Sequence, residues 1–493
     1  MKLAAGAACA PAAWAAETEI APHPSRLKFP TLTYDPPQPD EHRHELPGGA
    51  VAYVVEDHQL PLIDISISIR TGGYLVPKEM LGLASSTGSQ IRAGGTKTIS
   101  AREFDEQAAF LASELGSSIG STSASADLNC IKQNLEPTLK LFFDMLKNPG
   151  FDPERLQLSV ARQLQGMQRR NDQTAGIEGR EFARLLRGDD HFSTWQSTQA
   201  SVEAITTEAM AEFHQRYYHP GSMVLAISGD VDTKQILERL GSEMTAGWPA
   251  SSKPNVPKVP APAHTPKAGV YMVNKLDVNQ SRIAMGHIGI QRDNPDHLAV
   301  GVMNHILGGG GFTSRIMSRV RSDEGLAYSA GTGFQAGTYY PGIFHAGFQS
   351  MNGRCAQATT IVLEELDRIR QEKVSEEELA IAKNFSIEIF PRFFATASAV
   401  AGTFADDEYT GREKGYWDKY RDRIAAVSVD DVLRVAQKYL HPEQLVILGV
   451  GNVEEMLAGN PDQPDFQFAK LAKDKEIHRI PLPDPMTMEY PAA

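Results

Sequence analysis

The sequence predicts an α+β fold made of two duplicated αβ domains, each an antiparallel sheet with helices packed on one face. The first observation behind this prediction is an internal repeat. Residues 204–232 and 426–454 align without a gap at an offset of 222 residues, as from Tyr217 to Tyr439 (439 − 217). A period this long indicates duplicated domains and not a solenoid. The other two observations are a mixture of helix and strand patterns and a proline-rich stretch between the copies.

Each copy of the repeat predicts a helix, a His-Pro break and a strand that ends in glycine. The matched positions, in the first copy and the second, are Thr206 and Ser428 at the helix cap, His219 and His441 before proline, and Gly229 and Gly451 at the strand end. We interpret the two histidines as helix-end groups whose rings satisfy terminal carbonyls, and not as metal ligands.

Local patterns predict the elements of the first domain. Residues 51–56 form a strand pattern, and residues 62–70 alternate isoleucine with polar residues, which is typical of a half-buried strand. Strands are also expected through residues 119–131. The motif Ser100-x-x-Glu103 is a capping box that opens a helix. We expect this helix to end at Gly116. Its apolar residues on one face would be Phe104, Ala108, Leu111 and Leu115. A further helix is expected at residues 137–147. Its core-facing residues would be Leu139, Phe142, Phe143 and Leu146.

The predicted organisation has five parts. These are a signal peptide at 1–16, an extended lead-in at 17–41, a first domain at 42–248, a proline-rich linker at 249–268 and a second domain at 269–493. The first sixteen residues contain one lysine, an alanine-rich run and the small-x-small sequence Ala13-Trp14-Ala15, which indicate export to the periplasm or beyond. The alternative is a disordered alanine-rich start and a cytoplasmic protein.

Composition excludes several classes of protein. The 493 residues are 41% hydrophobic and 22% charged, with a formal net charge of −13. This charge disfavours nucleic acid or an anionic membrane as a partner and favours basic substrates. No stretch reaches the ~18 continuous apolar residues of a membrane-spanning helix. Three isolated cysteines, Cys9, Cys130 and Cys355, favour neither a disulfide scaffold nor a cysteine-ligated metal.

Residues 307–328 contain a glycine loop, a helix and the start of a strand. The glycines, Gly308 to Gly311, would let a substrate backbone approach closely. In the helix, Ile316 and Val320 would face the core, while Arg315, Arg319 and Ser322 would face solvent. Arg321 would lie near the helix C-terminus, and Tyr328 at the start of an extended run, 327–334. A tight connection followed by a solvated cap would explain the same pattern. The loop lacks the third glycine of a dinucleotide-binding motif.

This segment resembles the second-domain signature of the pitrilysin/insulinase (inverzincin) metallopeptidases, in particular the two-domain branch similar to mitochondrial processing peptidase. Leu46-Pro47-Gly48-Gly49, Gly82-Leu83-Ala84 and Gly94-Gly95-Thr96 add to the resemblance. The resemblance implies two αβ domains that face each other or a partner chain across a peptide-holding chamber. It implies that Arg321 and Tyr328 act on the substrate, with Gly308, Gly309, Gly310, Gly311 and Phe312 as substrate-binding residues.

The sequence departs from this family at the zinc motif. Catalytic members carry His-x-x-Glu-His on the helix that begins Gly-Leu-Ala, and those positions here are Ser85, Gly88 and Ser89. Serine is not a plausible zinc ligand and glycine cannot act as a base. The helix expected to carry the distal acidic ligand has no Asp or Glu between Glu154 and Asp172. We therefore expect no metal in this chain and a zinc ion in a partner subunit.

No displaced catalytic site is evident. None of the 14 histidines has another histidine four residues away. The closest cluster, His42-x-His44-Glu45, lies in a charged lead-in and is expected to be exposed to solvent. A Gly-x-Ser-x-Gly nucleophile motif is also missing at Ser85, because Gly82-Leu-Ala-Ser85-Ser does not end in glycine.

Two classes of function remain. In the first, the chain is a non-catalytic, substrate-binding subunit of a heterodimeric zinc metalloendopeptidase. It would be inactive alone and would supply Arg321 and Tyr328 to the zinc site of a homologous partner. In the second, it is a structural pseudo-peptidase scaffold without a proteolytic role. The presence of Arg321 and Tyr328 favours the first class, because a scaffold has no need of a guanidinium and a phenol beside a glycine loop.

Overall fold

Two six-stranded mixed sheets organise the protein, which is described here from a computed structural model. The structure describes residues 33–245, 247–248, 255–472 and 476–491. The predicted signal peptide at 1–16 lies outside these residues. Contacts divide the chain into Met1–Asp35 and Pro36–Ala493, and both sheets belong to the second unit. The five-part domain organisation stays a prediction.

The strands fall into two sets, one in each half of the chain. The first sheet contains β1 Arg43–Glu45, β2 Val51–Glu56, β3 Leu62–Ile69, β4 Glu114–Ile119, β5 Ala124–Ile131 and β6 Met223–Gly229. The second half contains β7 Gly269–Asn274, β8 Gln280–Ile288, β9 Ile290–Gln291, β10 Ala327–Phe334, β11 Ala336–Gly337, β12 Ile343–Met351, β13 Val446–Gly451 and β14 His478–Ile480. Strands β9 and β11 form a small separate ladder.

The two sheets have the same strand order, which confirms the duplicated α+β fold. The first runs β1-β2-β6-β3-β5-β4, and the second, taken from its other edge, runs β14-β7-β13-β8-β12-β10. The prediction of purely antiparallel sheets is wrong, because β6 pairs parallel with β2 and β13 pairs parallel with β7. Each of these strands follows a helix and enters the middle of its sheet, as a crossover connection allows. Strand β14, near the C-terminal end, takes the edge position that β1 holds in the first sheet.

The helices of the first half are α1 Leu83–Ala93, α2 Ala101–Phe110, α3 Leu135–Lys147, α4 Pro153–Gln168, α5 Thr174–Arg187, α6 Gln199–Glu203, α7 Thr207–Tyr217 and α8 Thr233–Thr245. Those of the second half are α9 His297–Asn304, α10 Arg315–Met317, α11 Cys355–Gln371, α12 Glu376–Ile389, α13 Ala397–Thr410, α14 Tyr420–Ala425, α15 Val429–Tyr439, α16 Val453–Ala458 and α17 Phe468–Leu471.

The repeated helix and strand form as predicted. Thr206 caps α7 by accepting from the amide of Ala209, and Ser428 forms a capping box on α15. The role predicted for the His-Pro histidine is different in the structure. The ring of His219 accepts a hydrogen bond from the amide of Gly221 at 3.0 Å, so it caps the turn that follows the helix.

Helix α2 ends earlier than predicted. Its capping box at Ser100 and Glu103 is present, but the helix stops at Phe110, and Leu115 and Gly116 belong to strand β4. Ala112 adopts a left-handed φ of 47°, and the amide of Ser113 donates to the carbonyl of Ala108 at 3.0 Å. This closure of the last turn ends a helix although Ala112 is not the usual glycine. The other predicted helix extends from Leu135 to Lys147, with all four predicted core residues buried.

The two halves exchange one helix each. Helix α5 of the first half packs on β8 and β13 of the second sheet, and α13 of the second half packs on β2, β3 and β6 of the first sheet. On α5, Phe182 is buried with Ala284 and Leu448 of the second sheet. On α13, the hydroxyl of Tyr409 donates to the carbonyl of Ile69 at 3.2 Å. Each sheet is therefore covered on one face by helices of its own half and on part of the other face by a helix of the other half.

The C-terminal segment also connects the halves. After β14 joins the second sheet, the carbonyl of Pro483 accepts from the side chain of Asn171 at 2.8 Å. Further on, the hydroxyl of Tyr490 donates to the buried carboxylate of Glu181 at 2.9 Å. Part of the predicted second domain therefore lies against helix α5 and the loop before it.

Candidate functional site

The predicted glycine loop begins inside one π turn and ends before a second. Helix α9 continues into a π turn at His305–Gly309, and a 3₁₀ turn at Gly311–Thr313 leads to α10. A second π turn, Ser318–Asp323, completes the helix before β10. The helix predicted here is thus present but irregular. Single π turns inside helices are frequent at functional sites because they displace side chains from the regular helical faces.

Three of the four loop glycines have a packing role. A Cβ at Gly308 would lie 2.6 Å from the amide nitrogen of Thr332 on β10, and a Cβ at Gly310 would lie 2.7 Å from the carbonyl of His305. A Cβ at Gly309 would lie 2.6 Å from the side chain of Asn304. Gly308 lets the loop lie directly on β10, and Gly309 and Gly310 pack against the end of α9 and the first π turn. Gly311 differs, because it has a φ of +60° and nothing within 4 Å of a Cβ.

The arginines of this segment are not equivalent. The prediction that Arg315 and Arg319 face solvent is wrong. Arg315 forms two hydrogen bonds with Glu378, at 2.6 and 3.0 Å, and Arg319 pairs with Glu364 and Glu365. Burial alone would raise the pKa of Glu378, but the hydrogen bond from Arg315 and further donors lower that pKa to about 2. These two arginines fasten the segment to helices α11 and α12.

Arg321 is held between two aromatic rings. Its guanidinium carbon lies 4.7 Å from the ring centroid of Phe312 and 4.4 Å from that of Tyr328. One N–H donates to the backbone carbonyl of Tyr328 at 2.9 Å. Within the described part of the chain, Arg321 has no carboxylate partner, and its other N–H groups have no hydrogen-bond partner. The stacking positions the guanidinium while leaving its charge uncompensated.

A β-bulge places Tyr328. The pairing of β10 with β12 shifts between Ala327 and Ala330, so that Tyr328 and Ser329 lie outside the regular ladder. A bulge of this kind changes the direction of the side chains it contains. The side chain of Tyr328 is 82% exposed and Phe312 is 68% exposed, which is unusual for residues of this size.

Tyr328 lines a cavity of about 560 Å³ on the open face of the second sheet. Its floor comes from alternate residues of β8 and β12, and one wall comes from Glu178 of α5. Sequence analysis did not identify these residues. The signal for them is the alternation of polar with buried residues at 280–282 and 345–349, which shows a polar sheet face. No residue of α1 lines this cavity.

The positions that the resemblance assigns to the zinc motif lie on α1. The hydroxyl of Ser85 donates to the carbonyl of Gly82 and that of Ser89 to the carbonyl of Ser86, each at 3.0 Å. A Cβ at Gly88 would lie 2.3 Å from the amide nitrogen of Ile119 on β4. A glutamate therefore cannot occupy this position unless α1 moves away from β4. These residues do not fit a zinc ion, and the close packing leaves no space for the side chain of a general base at Gly88.

Neither a metal cluster nor a membrane span appears in the described ranges. They contain no group of three or more His, Cys, Asp or Glu side chains placed to hold a metal ion. The helices among them are too short or too polar to cross a membrane.

The predicted exposure of the His42-x-His44-Glu45 cluster holds for Glu45 alone, because His42 and His44 are half-buried and residues 43–45 form edge strand β1. His42 is half-buried, with its ring nitrogen 3.2 Å from the carbonyl oxygen of Val54 and its ring stacked on Phe404 at 6.2 Å.

We predict that the purified chain contains far less than one zinc ion per molecule and cleaves no peptide on its own. Two of the three replaced positions are serines bonded to their own helix, and the third has no room for a side chain. Elemental analysis after dialysis against a chelator-free buffer measures the zinc content. One tightly bound zinc per chain would contradict the prediction, and His42→Ala with His44→Ala would then be the first variants to test.

Comparisons with known proteins agree with this picture. Residues 204–385 match the family model described as the peptidase M16 inactive domain. The chain is 22% identical over 383 residues to the non-peptidase homolog YmxG of Helicobacter pylori, an alignment that covers 76% of this chain and 86% of that protein. It is 25% identical over 263 residues to an uncharacterized zinc protease of Streptomyces coelicolor, covering 52% of this chain. This alignment spans only 57% of the length of that relative.

The fold also matches a solved structure. A crystal structure of a peptidase M16 inactive domain from Pseudomonas fluorescens superposes with a TM-score of 0.74 at 24% identity, covering 83% of this chain and 98% of that chain. At this identity the likeness concerns the fold alone. The resemblance to a zinc-peptidase family that the sequence suggested is therefore confirmed, because residues 204–385 match the M16 inactive-domain model and the relatives include zinc-protease-like and non-peptidase proteins.

Proposed function

We propose that this chain is the non-catalytic, substrate-binding subunit of a heterodimeric zinc metalloendopeptidase. The observation that carries the proposal is the state of Arg321, which is stacked between two exposed rings with its charge uncompensated by any described carboxylate. Arg315 and Arg319 of the same segment are, by contrast, paired with glutamates of α11 and α12. The match to an inactive-domain model and the similarity to a non-peptidase homolog support a non-catalytic chain.

The proposed role of Arg321 and Tyr328 is to stabilise the transition state of peptide hydrolysis. When water adds to a peptide carbonyl, negative charge develops on the carbonyl oxygen. Donors held near that oxygen lower the energy of the transition state more than that of the bound substrate. Arg321 offers planar N–H groups that stay charged at neutral pH, and Tyr328 offers a hydroxyl donor. The zinc would belong to the partner.

Gly311 and Phe312 would contribute to binding the peptide. Gly311 has open space around it, and Phe312 is exposed beside Arg321. The buried or tightly packed glycines Gly308, Gly309 and Gly310 would support the loop from beneath. The cavity on the sheet face next to Tyr328 would hold a peptide side chain.

We predict a stable heterodimer with an M16 homologue that retains His-x-x-Glu-His. The open sheet face and the exposed rings of Phe312 and Tyr328 need a covering partner, and an obligate interface of this kind should bury more than ~2,000 Å² in total. Co-expression with such a homologue encoded beside this chain, followed by sedimentation velocity, should show a one-to-one complex. A chain that stays monomeric with every such homologue would contradict the subunit proposal.

The second candidate is a scaffold without a proteolytic role. The similarity to a protein named as a non-peptidase homolog favours it. A scaffold would tolerate loss of the Arg321 charge, whereas the proposed subunit would not.

The predicted export to the periplasm stays a proposal, and N-terminal sequencing of the native protein would test it.

A further inference from the structure

The cavity beside Tyr328 has a polar floor in which the charged groups are unevenly paired. Arg282 forms an ion pair with Glu178. The same arginine donates to Gln349 at 3.4 Å, and Gln349 donates to Gln280 at 3.1 Å. This network crosses β8 and β12 on the face that α5 leaves open. Glu178 is the carboxylate among the lining residues, and Arg282 already neutralises it.

Arg354 is the remaining charged residue of the lining. It directly precedes α11 and is exposed, and its guanidinium has no ion-pair or hydrogen-bond partner in the part of the chain that the structure describes. Burial lowers the pKa of His345, so its ring adds no charge at neutral pH. With Glu178 and Arg282 cancelling, the lining carries one net positive charge, and the unpaired Arg321 contacts the ring of Tyr328 on the adjoining side.

The shape of the cavity supports occupation by a side chain. Gly331 on β10 is directly opposite Gly347 on β12 in the strand register. The carbonyl oxygen of Gly308 fills the space beside Gly331, 2.8 Å from a Cβ at that position, and the ring of His345 lies against Gly347. The room for a side chain is the cavity volume of about 560 Å³. Met351 and Phe348 add an apolar border. The site thus combines room, an apolar border and an unpaired cation, which are the features of a carboxylate pocket.

We infer that the cavity beside Tyr328 is a carboxylate subsite in which Arg354 binds an acidic side chain or the C-terminal carboxylate of a peptide. The inference rests on the proposed function, because it assumes that a peptide lies along Arg321 and Tyr328. It differs from the expectation drawn from net charge. A total of −13 attracts basic peptides to the surface as a whole, whereas this subsite selects a negative group at one position. Arg354 is accordingly a specificity-determining residue.

Binding of four synthetic peptides to the purified full chain tests the inference. Each is a ten-residue peptide with an N-terminal dansyl group, carrying either Glu or Gln at its centre and either a free or an amidated C-terminus, and its other residues are uncharged. Fluorescence anisotropy at 50 mM NaCl measures Kd. We expect a carboxylate to improve binding by ~10-fold or more, as for a hydrogen bond to a charged group. Arg354→Gln should reduce this preference to below ~2-fold and leave the Kd of the amidated Gln peptide unchanged.

The peptide set distinguishes the two sources of the carboxylate. A difference between Glu and Gln that persists in the amidated pair indicates an acidic side chain. A difference between free and amidated ends in the Gln pair indicates a C-terminal carboxylate. The matched control is Arg102→Gln, because Arg102 is an exposed arginine on α2, 86% accessible at its side chain and outside the cavity. This variant should keep the full preference.

The outcomes separate the subsite from the proposed function. If all four peptides bind with equal Kd, or if Arg354→Gln keeps the preference, the carboxylate subsite is wrong while peptide binding by the chain stands. If no peptide binds at ~1 mM, the proposed function fails and the subsite with it.

Discussion

Replacing Arg321 with Ala, or Tyr328 with Phe, is expected to reduce the turnover of the proposed two-chain enzyme by ~10²–10³-fold, about 3–4 kcal/mol of transition-state stabilisation. Both side chains lie at the surface, so their loss removes donors from the substrate and not from the core. Tyr328→Phe keeps the ring against which Arg321 stacks at 4.4 Å and removes the hydroxyl alone. The expected change is in kcat measured with a quenched-fluorescent peptide and the assembled complex.

Further variants separate the roles of charge and geometry. Arg321→Lys keeps the charge but loses the planar stacking between Phe312 and Tyr328, so its kcat should lie between those of the wild type and Arg321→Ala. Phe312→Ala removes one of the two rings and should have a smaller effect than Arg321→Ala. Arg102→Ala is the matched arginine control and should leave kcat unchanged. A fully active Tyr328→Phe complex, or a loss explained wholly by dissociation in sedimentation, would show that this pair does not serve catalysis.

Replacing Phe404 with Ala should lower the free energy of unfolding by about 3–5 kcal/mol, the usual range for a buried phenylalanine. Phe404 lies on α13, is 1% exposed, and packs with its ring centroid 6.0 Å from Tyr53 of the first sheet and 5.6 Å from Phe394. Its removal creates a cavity where the second half covers the first. Urea-induced unfolding followed by far-UV circular dichroism and by tryptophan fluorescence measures the change.

The control for this variant is Phe110→Ala. Phe110 is also a helical phenylalanine but is 87% exposed at the end of α2, so its replacement should change stability by less than ~0.5 kcal/mol. Because each half supplies a helix to the sheet of the other, Phe404→Ala should shift the unfolding of both halves together. Unfolding in two separate transitions, with only the midpoint of the second half shifted by Phe404→Ala, would contradict this coupling. The exchanged helices would then not link the stability of the two halves.

The sequence alone carried much of the candidate site. The spacing of Arg321 and Tyr328, the absence of His-x-x-Glu-His at Ser85, Gly88 and Ser89, and the family resemblance were all accessible from it, because motifs are contiguous and their absence is visible in the residues themselves. Whether each arginine is paired with a carboxylate was not accessible from the sequence. Arg315 and Arg319 have the same helical pattern as Arg321, and only the positions of Glu378 and Glu365 show that two of the three are paired.

The sequence by itself determined the α+β class, the duplication and the helix caps at Ser100, Thr206 and Ser428, because these depend on periodicity and on contacts within a few residues. The tertiary structure alone decided which helix covers which sheet, since the apolar residues that α5 and α13 bury do not specify which half they cover. It also decided the parallel pairing of β6 with β2 and of β13 with β7, the edge position of β14 and the bulge that exposes Tyr328. All of these depend on hydrogen bonds and packing between residues far apart in the chain, and no local pattern specifies such partners.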